Sequence, residues 1–140
     1  MRADRALLFA ALVLASCDLP RDPGETENRV RAGGVIRLGV IEGAAIDPAA
    51  ERALARLAAE TGAQVRRRAG TGETLLPDLR NGRLDLVYGR FADDSPWRTH
   101  VHFGAPLGGG NDAQASRQRP RFAFRAGENG WIAEVGKVGG

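Results

Sequence analysis

Residues 35–89 read VIRLGVIEGAAIDPAAERALARLAAETGAQVRRRAGTGETLLPDLRNGRLDLVYG. The first seven, Val35 to Ile41, are apolar and rich in β-branched side chains, and a glycine pair precedes them, which is the signature of a buried strand. The turn EGAAIDP follows and ends in a helix start. An Asp47 carboxylate can accept a hydrogen bond from a free N–H of the first turn, and Pro48 loses nothing at the first helical position. Ala50, Leu54, Leu57, Ala58 and Thr61 then recur at helical spacing. Gly62 suits the left-handed residue that closes a helix. A second strand, AQVRRR, is more polar, and its triplet Arg66-Arg67-Arg68 is read as the charged face of an edge strand that resists aggregation. The segment ETLLPDLRNG forms a short helix, with Pro77 placed early enough for its missing N–H to cost little. Gly82 ends that helix. The third strand, RLDLVYG, puts Leu84, Leu86 and Tyr88 on one face, with Asp85 and Val87 on the other. Strand, helix, strand, helix, strand is the order of a parallel sheet with crossover helices.

Downstream, SPWRTHVHFGAPLG closes this block, and LGGGNDAQASRQRP, residues 107–120, reads as a polar loop. A further strand, RFAFR, and a short helix, GENGWIAEVGK, complete the chain, and Phe122, Phe124, Trp131 and Ile132 are expected to finish the core. Upstream, Arg2 and Arg5 precede an apolar run from Ala6 to Ala15. That run is shorter than the roughly 20 residues a spanning helix needs, and it suits a secretory signal. It ends in Leu14-Ala15-Ser16-Cys17, which resembles a bacterial lipobox, in which the cysteine carries lipid and begins the mature protein. Cys17 is the only cysteine, so it has no disulfide to make. Asp18 next to it resembles the signal that keeps a lipoprotein in the inner membrane. The organisation expected is therefore a lipoprotein signal over 1–17, a flexible tether over 18–33 and a folded lobe over 34–140. The tether reading rests on two prolines, repeated charges and a glycine pair.

Composition excludes more than it assigns. With 140 residues there is room for one small domain. The 20 basic and 17 acidic side chains nearly balance, at +3, which is less positive charge than a nucleic-acid binder concentrates. Gly70-Thr71-Gly72-Glu73 lacks the lysine of a phosphate-binding loop. His100 and His102 point to the same side of a strand but have no third ligand near them in sequence. Asp93-Asp94 in FADDSP is read as a turn. No nucleophile–base arrangement stands out. The expectation is a protein that is not an enzyme and that uses no metal and no cofactor.

The order of these segments resembles the first lobe of the periplasmic solute-binding proteins of the amino-acid type, the substrate-binding components of ABC transporters. That family carries a first strand ending in L-x-V-G, a helix–strand pair, a step like LIPALQSGKVDL and a closing T-x-E-R…V-x-F-S-x-P-Y. Here the last two read LLPDLRNGRLDLVYG and SPWRTHVHFGAPLG, and the resemblance covers about half the chain. The tail RFAFRAGENGWIAEV is similar to the returning segment that completes that lobe. The resemblance implies an α/β fold, a single three-layer lobe of the periplasmic-binding-protein type II fold with a mostly parallel sheet and no second lobe. It also implies a periplasmic protein, lipid-anchored at the inner membrane, that binds a small polar solute such as an amino acid and meets an ABC permease. In open α/β sheets the ligand lies beyond the carboxyl ends of the strands. Those ends supply Glu42, Gly43, Thr71 and Gly89 as candidate ligand contacts. The family's arginine for the ligand carboxylate is matched best by Arg98, with Arg90 second. The match departs at DDSPW, which replaces T-x-E and leaves Arg98 one residue short of register. EGAA also offers no aromatic to stack on a solute. The rival class is an interaction module whose open cleft face binds a partner protein or a second copy.

Overall fold

The computed structural model describes residues 22–108 and 118–140. The run at Val35 is β1, Val35–Ile41. It joins β2, Gln64–Gly70, β3, Leu86–Phe91, β4, Val101–Phe103, and β5, Arg119–Arg125, in one sheet of order β2-β1-β3-β5-β4. β1 is parallel to both neighbours, with Leu38 level with Arg67 and Leu86. β5 alone runs the other way, antiparallel to β3 and to β4. The mostly parallel sheet expected from the crossover pattern is thus built, and β2 with its arginines is an edge.

Two helical layers cover the sheet. On one face lie α1, Thr26–Gly33, α2, Pro48–Thr61, and α4, Asn129–Gly139. They enclose Ile36, Leu38, Leu54, Leu57, Tyr88, Phe122, Phe124 and Trp131. On the other face, α3, Gly72–Arg80, and a 3-10 turn, Pro96–Thr99, cover Leu75, Leu76, Leu79, Val87, Phe91 and Ala123. α2 forms where its caps place it: the Asp47 carboxylate accepts from the Ala49 N–H at 2.7 Å, and Gly62 takes a φ of 67° beyond the last turn. Of the tail residues expected to finish the core, Phe122, Phe124 and Trp131 are buried and Ile132 is half-buried against them.

Four expectations are corrected. The tether does not run through residue 33, because Thr26–Gly33 is a helix whose Val30 is 1% exposed. Its amphipathic spacing is short, and its anchoring comes from partners a hundred residues away. The buried Glu128 carboxylate accepts from the N–H groups of Gly24 and Thr26, and Asp22 returns the favour to the Gly130 N–H at 2.8 Å. These are the otherwise unpaired donors of the α1 and α4 N-termini. Pro77 is the sixth residue of α3 rather than an early one, so the helix lacks one interior bond and ends three residues later. Leu84 packs with Val87 and not with Leu86 and Tyr88, because the strand and its alternation begin only at Leu86. The polar loop is shorter than 107–120: Leu107 is buried and donates to the Pro120 carbonyl at 2.8 Å, and β5 begins at Arg119. Residues 109–117 of that loop, the signal at 1–17 and Cys17 itself lie outside the described residues. Among the described residues no helix is long and apolar enough to cross a membrane.

Candidate functional site

The carboxyl ends of β1, β2 and β3 lie side by side, since Ile41 pairs with Gly70 and Val40 with Tyr88. Backbone bonds tie the loops that leave them. The Glu42 N–H donates to the Gly70 carbonyl at 2.9 Å, which sets Glu42 and Gly43 beside Thr71. Thr71 stands at the N-terminus of α3, with its hydroxyl 3.4 Å from that of Thr74. Gly43 has a φ of 80°, which lets the chain turn away sharply from β1. The rest of that loop is held by Tyr88, whose hydroxyl accepts from the Asp47 N–H at 3.0 Å. Three of the expected contacts, Glu42, Gly43 and Thr71, therefore share one rim.

Gly89 and Arg90 belong to β3 itself. Gly89 is buried, and a Cβ there would come within 2.6 Å of Ile41 Cγ1 and 3.1 Å of the Phe91 ring. A side chain has no room at that point, so packing alone accounts for glycine. Arg90 is exposed, and its Nη1 stands 3.5 Å from the Gln118 carbonyl, where the chain re-enters the sheet.

Arg98 is carried elsewhere. It sits in the exposed 3-10 turn, three residues before Val101. Val101 is level with Arg125, whereas the crevice rim is marked by Phe91 opposite Arg119 at the other end of β5. The 3-10 turn thus leads Arg98 toward the end of the sheet away from Glu42 and Thr71. The family's carboxylate arginine is matched in sequence but not brought to the same rim.

A different arginine comes to the crevice. Arg121 of β5 is level with Gly89, two pairs inside the rim, and its Nη2 donates to Asp93 Oδ1 at 2.6 Å. Asp93 is the second residue beyond the end of β3. Its side chain is 73% exposed, while that of Arg121 is 8% exposed. Sequence reading misses both, because RFAFR stands out for its phenylalanines and FADDSP reads as a turn. The signal available was alternation: Phe122 and Phe124 face α2 and α4, so Arg121 must face the leucine layer of α3.

The arginine triplet of β2 is mostly engaged in its own layer. Arg67 grips Glu51 of α2 through two bonds of 2.7 and 2.6 Å, and that hydrogen-bonded guanidinium holds the Glu51 carboxyl below its usual range. Arg68 pairs with Asp78 of α3, which Arg83 also meets at 2.9 Å. Among the described residues no group of three His, Cys, Asp or Glu is placed to hold a metal ion. His100 stacks edge-on against Trp97, and His102 tilts against Phe124.

An apolar cavity of about 290 Å³ lies apart from the crevice, between the β4–β5 pair and the end of α4. Phe122, Phe124, Leu107, Ile132 and Val135 line it, and none of the expected ligand contacts does.

Comparison with solved structures finds this architecture elsewhere. A point mutant of the arginine-bound domain 1 from TmArgBP matches with a TM-score of 0.66 at 14% identity, over 81% of this chain and 95% of that one. An arginine-bound glycine-to-alanine mutant of ArgBP from T. maritima matches at 0.61 and 9% identity, over 81% and 98%. An ancestral cationic amino acid solute binding protein matches at 0.54 and 13% identity, over 81% and 95%. At these identities the likeness is one of fold, and the fold is that of a single periplasmic-binding-protein lobe. No family model and no curated protein matches the sequence.

Proposed function

We propose that this chain is a solute-binding lipoprotein: an amino-acid-type binding lobe, held in the periplasm at the inner membrane by lipid on Cys17, that presents its solute to an ABC permease. The observation that carries this reading is the crevice. Glu42, Gly43 and Thr71 share its rim, at the carboxyl ends of β1 and β2, in a lobe of the same fold as an arginine-bound domain. Open α/β sheets bind ligands at such ends because loop N–H groups and a helix N-terminus converge there. The lipobox-like Leu14-Ala15-Ser16-Cys17 supports the anchor, and the fold supports the importer.

A single lobe offers one wall. A two-lobed binder closes and removes its solute from water on both sides, which strengthens every polar contact. A micromolar site is worth about −8 kcal/mol and a millimolar one about −4 kcal/mol, so a lobe that keeps half the contacts binds at about millimolar strength. Calorimetric titration with L-arginine and with the other common amino acids tests the reading, using protein that lacks its first seventeen residues. Saturable binding near millimolar is the expected result. No saturable heat with any of them removes the solute-binding reading. Binding that appears only on dimerisation or with an added protein assigns the lobe to the interaction class instead.

A further inference from the structure

We propose that Arg121 is the carboxylate-binding group of this crevice and that Asp93 holds its place until a solute arrives. The inference rests on the solute-binding reading in one respect only, that the carboxylate belongs to that solute.

The argument begins with donors. A guanidinium carries five N–H groups and keeps its charge at any physiological pH, so a buried arginine must find acceptors for them. Arg121 sits in the middle of the sheet with 8% of its side chain exposed. Among the described residues it has one bonded carboxylate, Asp93, which meets Nη2 through a single oxygen. Its Nε is buried without an acceptor among those same residues. Nε and Nη2 share one edge of the guanidinium, the edge that a planar carboxylate fits with two parallel bonds. Asp93 occupies half of that edge from a largely exposed position, in a turn that joins β3 to the 3-10 turn. Buried polar donors in folded proteins are rarely left unmet, so the open Nε calls for a partner.

The position fits the chemistry. Arg121 is level with Gly89, two pairs inside the rim that Phe91 and Arg119 mark. Its head reaches Asp93, two residues beyond the carboxyl end of β3. An incoming carboxylate that displaces Asp93 would take both Nε and Nη2. The exchange replaces one anion by another, so the buried guanidinium is never left uncompensated. Asp93 is then released into water, where an exposed carboxylate is well solvated.

The test uses the full-length ¹⁵N-labelled chain in detergent micelles, with the Arg121 Nε–H resonance as readout. Sodium acetate and L-arginine are expected to move that resonance downfield saturably. Agmatine, which has the amine and guanidine of arginine without the carboxylate, is expected to leave it still. Asp93→Ala should tighten acetate binding by removing its competitor, and Arg121→Lys should weaken it about tenfold or more, the effect of losing a bond between charged partners. If Arg121→Lys does not fold, the wild-type resonance and Asp93→Ala decide the matter. An Arg121 Nε–H that is silent to acetate and L-arginine, or that moves equally with sodium chloride, overturns the proposal. So does an Asp93→Ala variant that loses stability with no gain in acetate affinity. L-arginine binding with Arg121 silent would sink this inference and leave the solute-binding reading intact. Acetate binding at Arg121 without any amino-acid binding would do the reverse.

Discussion

Asp85 grips Arg37 by both its backbone and its side chain. Its Oδ2 accepts from the Arg37 backbone N–H at 2.8 Å and from Nε at 3.0 Å, and its Oδ1 accepts from Nη2 at 2.7 Å. Arg29 of α1 adds a further bond to Oδ1, and the Asp85 carbonyl accepts from the Trp131 indole N–H at 2.9 Å. At the entry to β3, this carboxylate, 1% exposed, thus joins α1 and β1, and the same residue's carbonyl holds α4.

The pH dependence of stability follows from that carboxylate. Burial by itself would raise the Asp85 pKa, but the hydrogen bonds from Arg37 and Arg29 outweigh it, and the pKa ends below the usual value. A group depressed on folding contributes stability above its unfolded pKa, near 3.9, and that contribution is lost as pH falls through the folded pKa. Chemical denaturation between pH 7 and pH 2 should show this loss below about pH 4. Asp85→Asn should cost about 1.5–3 kcal/mol at pH 7, because it removes the buried charge to which the part-exposed Arg37 and Arg29 donate, and should flatten the acid limb. An Asp85→Asn chain as stable as wild type at pH 7 would exclude this role.

Deleting residues 18–33 separates a docked helix from a passive tether. The deletion removes Val30 from the core and leaves the buried Glu128 carboxylate without the N–H groups of Gly24 and Thr26. Burial of one such valine contributes about 1.5–3 kcal/mol, so the urea midpoint should fall by at least that equivalent. An unchanged midpoint would show that α1 adds nothing.

Gly89 should tolerate no side chain. Gly89→Ala places a Cβ 2.6 Å from Ile41 Cγ1, and crowding of this kind costs about 1–3 kcal/mol. Adding Ile41→Ala should recover part of the loss, because the two changes share one contact. Strictly additive melting shifts for the two changes would place the strain elsewhere.

Cys17→Ser tests the anchor. If Cys17 carries lipid, the serine variant should leave the membrane fraction or keep its signal uncleaved. Two acyl chains give a firm anchor at about 0.8 kcal/mol per buried methylene, so the change in detergent partitioning should be large. Equal partitioning and equal mass for the two proteins would remove the lipobox.

What the sequence determined by itself is the order and kind of the elements from Val35 to Phe103. Each is set by neighbours within one turn or one strand: the alternation of a strand, the Asp47-Pro48 start of α2, the left-handed Gly62 that ends it. A resemblance of segment order was enough to name the lobe, because crossover connections between parallel strands leave few ways to arrange them. The candidate rim of Glu42, Gly43 and Thr71 was legible for the same reason, since the ends of the strands are where the loops must meet. The tertiary structure alone decided what depends on distant partners. Thr26–Gly33 looks like a linker until Glu128 and Asp85 supply its hydrogen bonds. Asp85 looks like one more polar strand residue until Arg37 and Arg29 close over it. Arg98 has the right neighbours in sequence but is led toward the other end of the sheet, because β4 begins level with Arg125. Arg121 reaches the crevice only because β5 inserts antiparallel between β3 and β4, which sets it beside Gly89 and below Asp93. No local pattern encodes that insertion. Strand order is chosen by which apolar faces and backbone donors remain unpaired once the rest of the sheet has formed.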